Sequence, residues 1–382
     1  MGKSLAVNQH ILSSTLSLRL NRRGNSFSQS RSSRDLMTEV TPYKRDISVN
    51  HTTLALAAER ILNEENESLR QACTRAVYTS WYYQTNLTEI NRRIALSAQM
   101  QYSSMKQQSW HKVQLWQGLK NYLLSDEIRR QFEALSVLGT SALPVGDLTD
   151  YKNVLSIMSE TYNTATICGY QGARKCDLSI DRDISPLMVN SRDASELSHA
   201  WKTWRDNTGK KIRNHFSIFV ELANKAARYN GFRNVVEMDL VPYERPDFRQ
   251  EIANAWEQIK PLYLQLHAYA RSKLRKVYGS SIVRERGPLP AHILGNMWAQ
   301  KWDVNDILMP YPWKPQIDVT NEMVKQRFTP KKLFEVAEDF FLSMNMTRMP
   351  HTFWRHSMFE APNDRPIICH ASSWDFCNSY DY

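Results

Sequence analysis

Ten histidines and five cysteines are the side chains of this 382-residue chain best suited to hold a metal ion or attack a substrate. The spacing that builds a hydrolytic zinc site is HExxH on a helix: two histidines one turn apart bind the ion, and the glutamate acts as general base. The histidines fall at positions 10, 51, 111, 199, 215, 267, 292, 351, 356 and 370, and none of them makes HExxH. His351 and His356 are five residues apart, the wrong angle for one helical face, and Pro350 precedes them. Elsewhere, Gln300 offers an amide with both donors and acceptors beside Trp298 and Trp302. Arg205, next to Asp206, reads on pattern alone as a surface ion pair, and His370 as a structural histidine.

The element that carries Gln300 reads GPLPAHILGNMWAQ, Gly287 to Gln300. Pro288 and Pro290 hold its entry extended, because each fixes its own φ and restricts the residue before it. Ile293, Met297 and Trp298 then recur at about one helical turn, which predicts a core helix ending at Gln300. Gly295 in its middle requires either a close backbone approach or a bend, since Gly costs a helix about 1 kcal/mol relative to Ala.

The rest of the chain predicts helix after helix. Leu54, Ala58, Ile61 and Leu62, then Leu69, Cys73, Val77 and Trp81, mark a long amphipathic start. Ser125 caps a helix with Asp126 and Glu127 in its first turn, and further helices are predicted over 148–166, 192–205, 210–229 and 248–278. Pro261 predicts a kink in the last of these. Thr329-Pro330 pairs an N-cap with an N1 proline and starts a helix through Phe341. Ile282-Val283 and Ile367-Ile368-Cys369 are the β-like pieces, the second predicting a short strand near 366–372.

Composition narrows the function. With few glycines (12) and long stretches of helical period, the chain is mainly α. Six of its ten net positive charges lie in the first 34 residues, which contain no acid, so the remainder carries only +4. That balance argues against a nucleic-acid binder, and KLRKVYG at 273–279 reads as a solvated helix face. Residues 1–45 read as a disordered Ser- and Arg-rich leader with no clear signal peptide, ahead of a single unit over 46–382. No apolar run reaches the roughly 20 residues that cross a bilayer. Cys168 and Cys176 bracket a short polar loop compatible with a disulfide in an oxidising compartment. Asn50, Asn66, Asn86 and Asn345 head glycosylation sequons.

GPLPAHILGNMWAQ, together with CHASSWDF (369–376), KPLYLQLHAYAR (260–271), WKTWRDNTGK (201–210), TPKKLFEVAEDFF (329–341) and FWRHSMFEAPNDR (353–365), resembles the angiotensin-converting-enzyme family, zinc peptidyl-dipeptidases. The resemblance runs from about Thr53 to Phe376. It implies a two-lobed, multi-helix metallopeptidase fold around a deep cleft, of which this chain is the first part. It further implies zinc and chloride as cofactors, small peptides as substrates, and a secreted or membrane-attached location.

Carried over by position, the resemblance implies that Gln300 hydrogen-bonds the terminal carboxylate of a bound peptide and that His370 and Ala371 contact its backbone. It implies chloride contacts for Arg205, in WRD, and Tyr243, in VPYERP, and a disulfide between Cys168 and Cys176. Cys369 matches a family cysteine whose partner lies further downstream, whereas Cys73 and Cys377 have no family counterpart, and Cys377 is an alternative partner for Cys369. The family's zinc helix follows text like CHASSWDF, whereas here CNSYDY follows and HExxH does not occur. This chain is therefore expected to have no catalytic residue and no metal ligand of its own. The alternative is a non-catalytic peptide-binding or regulatory form with the full-length enzyme as partner.

Overall fold

A computed structural model of the chain describes residues 51–114, 116, 125–172, 176–302, 306–311, 313–314, 319–368 and 372–380. The expected leader (1–45), Asn50, Cys369, His370 and Ala371 lie outside the described residues. Among these residues, twelve α-helices follow in chain order: α1 (His51–Gln84), α2 (Glu89–Gln114), α3 (Asp126–Leu135), α4 (Val145–Thr164), α5 (Ser185–Asn190), α6 (Ala194–Asn207), α7 (Gly209–Tyr229), α8 (Val235–Leu240), α9 (Phe248–Ile282), α10 (Thr320–Lys325), α11 (Pro330–Ser343) and α12 (His351–His356). Among the described residues one ladder exists, β1 (Thr166–Ile167) antiparallel to β2 (Leu178–Ser179). The fold is mainly α, as the sequence predicts.

α1 and α2 form a long helical hairpin around the turn at Thr85–Thr88. Cross-links far apart along it fix its register: Lys112 Nζ lies 2.6 Å from the buried Glu65 carboxylate, and Gln99 donates to Ser80 Oγ at 2.9 Å. The open end of this hairpin is closed by α3, where Ile128 and Phe132 pack on Ala58, Leu62 and Val113. Ser125 caps α3 as expected, its Oγ accepting from the Ile128 N–H at 3.3 Å.

α4 packs on α7 through Tyr151, Leu148, Leu222, Ala223 and Ala226, with Tyr151 stacked on Phe219 at 5.4 Å. α7 stops at Asn230-Gly231, where Gly231 takes φ 84°, a value that favours glycine. The largest core joins α5, α6, the end of α9 and the 287–300 segment. Met188, Leu197, Ala200, Trp204, Leu274, Val283, Ile293 and Met297 are all buried there.

Two expectations are corrected. Residues 287–300 form no core helix: one 3-10 turn, Ala291–Ile293, is followed by Gly295 at φ 92° and Ala299 at φ 54°. Of the two options Gly295 left open, the chain takes the bend. α9 runs through Pro261, and the residue inside it with non-helical dihedrals is Gly279. The carbonyl that the proline ring leaves unpaired belongs to exposed Glu257, where water can satisfy it. In the stretch near 366–372, the described residues 366–368 and 372 join no ladder. The Ile368 N–H donates instead to the Gln84 carbonyl at the end of α1, at 2.9 Å.

Candidate functional site

The 287–300 segment is held by one side chain of α6. Asp193 starts that helix, accepting from Ser195 and Glu196 N–H groups at 2.8 and 3.3 Å, and the helical period then sets Trp201 and Arg205 on one face. Arg205 Nη2 donates to the Met297 carbonyl at 2.6 Å, and Nη1 reaches Met297 Sδ at 2.8 Å. The guanidinium carbon lies 3.7 Å from the centre of the Trp201 ring, a cation–π contact within the helix. Burial pulls the Arg205 pKa below its ordinary value, while the nearby Tyr162 acts in the opposite sense. The surface carboxylate pairing read from pattern is therefore not what the structure holds: the neighbouring Asp206 pairs with Lys202 at 2.6 Å.

An aromatic box surrounds this tie. Tyr162 meets Trp204 edge to face at 5.0 Å, and Trp204 meets Trp298 at 6.3 Å. Burial raises the Tyr162 pKa, against a hydrogen bond with Trp298 that lowers it. The indole N–H groups of Trp201 and Trp204 are buried without a hydrogen-bond partner. Gln300 emerges from this box exposed, its backbone N–H donating to Asn296 Oδ1 at 3.2 Å. Trp302 Nε1 donates to the Ala299 carbonyl at 3.1 Å and closes the turn.

The other predicted residues are spread over the molecule. Tyr243 is exposed in the 3-10 turn after α8 and stacks on Phe248 at 4.2 Å, so its neighbours differ from those of Arg205. Cys168 and Cys176 form a disulfide at the β1–β2 turn, and His199 of α6 approaches the Cys168 carbonyl at 3.1 Å. Asn66 is half-buried in the middle of α1 and donates to Gln131 at 3.4 Å, whereas Asn86 sits in the turn after α1. Asn345 is exposed just past α11 with φ 62°.

Sequence reasoning missed a second disulfide, Cys73–Cys377, whose cysteines are 304 residues apart. It replaces the alternative pairing of Cys377 with Cys369. Trp374 and Phe376 bring the segment to the aromatic face of α1, where Cys73 lies one turn from Val77 and two from Trp81. The signal was present in the recurrence of Cys73, Val77 and Trp81 every four residues. Its distant partner left no local trace.

The helical scaffold thus presents Gln300 exposed, next to an aromatic box and an anchored arginine. The angiotensin-converting-enzyme family of peptidases (M2) matches residues 52–382. An angiotensin-converting enzyme of Haematobia irritans exigua is 39% identical over 323 residues, covering 84% of this chain and 52% of that protein. An angiotensin-converting enzyme-related protein of Drosophila melanogaster is 37% identical over 329 residues, covering 85% and 52%. The angiotensin-converting enzyme of Bos taurus is 36% identical over 307 residues, or 79% of this chain and 23% of that protein. The chain belongs to the angiotensin-converting-enzyme family, and it spans about half the length of the first two relatives.

The family implies zinc. Among the described residues, no group of three or more His, Cys, Asp and Glu side chains could hold a metal ion, so the donors described do not fit it.

Proposed function

We propose that this chain furnishes the peptide-holding wall of a peptidyl-dipeptidase and that these 382 residues alone do not cut the peptide. The observation that carries the reading is the placement of Gln300, exposed on a backbone that Arg205, Asn296 and Trp302 fix in one geometry. An amide held this way can donate to the carboxylate at a peptide's C-terminus, a bond strengthened by the charge. Backbone from Ile367 to Ser372, with His370 and Ala371, would pair with the peptide in strand fashion, which accommodates many side chains. HExxH is absent from the sequence, so neither the general base nor the zinc ligands of the family can be assigned to a residue here.

Arg205 is the side chain suited to an anion such as chloride. Its cationic head lies against the Trp201 ring, and two unpaired indole N–H donors lie on the same helix. Tyr243 would serve a separate anion contact. Small peptides with a free carboxylate are the proposed ligands, in an extracellular setting that suits the disulfides.

The regulatory alternative is favoured by a different observation, the bare apolar faces of α9 and α11. Ile252, Trp256, Ile259, Tyr263 and Leu266 form one exposed stripe, with Leu262 and Leu264 exposed beside it. Phe334, Phe340 and Phe341 are exposed on α11. A helix apolar on several sides is a buried helix in the complete body. The remaining half of a peptidase unit, in the same polypeptide or in a full-length partner, would cover it.

The test is fluorescence anisotropy with a labelled tripeptide, as free acid and as C-terminal amide. The free acid should bind at least about tenfold more tightly, and Gln300→Ala should abolish that preference. Equal binding of acid and amide would refute the assignment of Gln300.

A further inference from the structure

We propose that the Cys73–Cys377 disulfide is a covalent strap that sets the position of residues 366–368 and 372–377 on α1 and makes that position depend on thiol oxidation. Two groups of contacts hold this segment to α1. At one end, the Leu87 N–H donates to the Pro366 carbonyl at 3.1 Å, the Ile368 N–H to Gln84 at 2.9 Å, and Arg365 Nε to the Thr85 carbonyl at 2.9 Å. At the other end, Phe376 meets Tyr78 at 4.5 Å, Trp374 meets Trp81 at 5.7 Å, and the disulfide closes beside them.

The two anchorages are separated by 11 residues of α1, from Cys73 to Gln84, or about 16 Å at 1.5 Å per residue. Ile368 and Cys377 are nine positions apart in the sequence. Nine positions can reach about 30 Å, so the hydrogen bonds at Gln84 alone leave Cys377 free to move far from Cys73, and the disulfide is what keeps it there. α1 itself does not depend on the strap, because the Glu65–Lys112 and Ser80–Gln99 links hold the hairpin independently. Loss of the strap therefore frees the segment and leaves the helices in place.

Opening the strap is a thiol–disulfide exchange: a dithiol reductant donates two electrons, Cys73 and Cys377 each end as a thiol, and the reductant ends as its own disulfide. Cys73 is 5% exposed and lies among Val77, Trp81 and Phe376, so a small dithiol gains access more readily than a protein thiol. Whether a held peptide senses the change rests on the peptide-holding reading above; the strap itself does not.

The experiment is hydrogen-exchange mass spectrometry on the full chain with Cys168→Ser and Cys176→Ser, so that dithiothreitol acts on the strap alone. On reduction, exchange in peptides covering Leu87 and 366–380 should accelerate by about tenfold or more, while the centres of α2, α4 and α7 keep their protection. Cys377→Ser should give the same pattern without reductant. Unchanged exchange at 366–380, or loss of protection throughout, would overturn the strap. Non-reducing peptide mapping of the unmodified chain should find the single alkylatable thiol at Cys369, and finding it at Cys73 would also overturn the proposal. Tripeptide affinity measured on the same samples separates the two ideas: a loosened segment with unchanged affinity refutes the peptide-holding role of Ile367–Ser372 and leaves the strap standing.

Discussion

The guanidinium of Arg205 donates to the main-chain carbonyl of Met297, 92 residues further on, at 2.6 Å. This bond ties α6 to the bent segment that presents Gln300. Replacing Arg205 with Leu removes the charged donor and leaves a buried carbonyl unpaired, at a cost of about 2 kcal/mol. Urea denaturation should show a lower midpoint with an unchanged slope, and Arg205→Lys should lie between, since a point charge cannot reproduce the fork. An unaltered midpoint for Arg205→Leu would mean that the bond from Arg205 to Met297 adds nothing to the segment's stability.

The apolar stripe on α9 predicts association. Trp256, Ile259 and Leu262 are 42%, 54% and 58% exposed, and contiguous apolar surface beyond a few hundred Å² is uncommon on soluble monomers. Sedimentation velocity should show the purified chain self-associating, and Trp256→Gln with Leu262→Lys should shift it towards monomer. A monomeric wild-type chain with one sharp, reversible melting transition would contradict this.

Local chemistry was legible in the sequence and distant partners were not. The start of α11 was readable from Thr329-Pro330 because a cap acts over three residues, and Thr329 Oγ1 does accept from Lys332 N–H at 3.2 Å. The shape of 287–300 was not, because the apolar spacing of Ile293, Met297 and Trp298 fits a helix until Gly295 bends it, and Arg205 then selects the bent form. Gln300 stood out in the sequence through resemblance alone, and nothing local showed that Arg205 of α6 anchors the segment before it. Cys73–Cys377 was illegible for the same reason, since nothing near either cysteine names the other.

Two lysines give a pH dependence. Burial pulls Lys106 on α2 and Lys152 on α4 down to about 8, and the charge of Lys106 adds to the shift at Lys152. An unfolded lysine near 10.5 keeps its proton where the folded one has lost it, so the unfolded state binds more protons between these values. Stability attributable to these residues therefore rises as pH goes from 8 to 10.5. The melting temperature of wild type relative to Lys152→Met should increase across that window, and a flat difference would contradict the burial argument.

Sequon accessibility differs sharply along the chain. A glycan at Asn66 would break its bond to Gln131 in the middle of α1, whereas Asn345 is exposed in a turn. Expressed in a secreting host, the chain should carry a glycan at Asn345 and none at Asn66. Intact mass after Asn345→Gln should fall by one glycan, and a glycan found at Asn66 would mean that α1 is not formed when the chain is modified.

The central claim is that this chain holds a peptide's carboxylate end and leaves its bonds intact. The most direct measurement incubates the purified 382-residue chain with zinc and a tripeptide, following free dipeptide by mass spectrometry and bound zinc by elemental analysis. The account predicts an intact tripeptide and no stoichiometric zinc. Dipeptide released over many turnovers, with one zinc per chain, would contradict it.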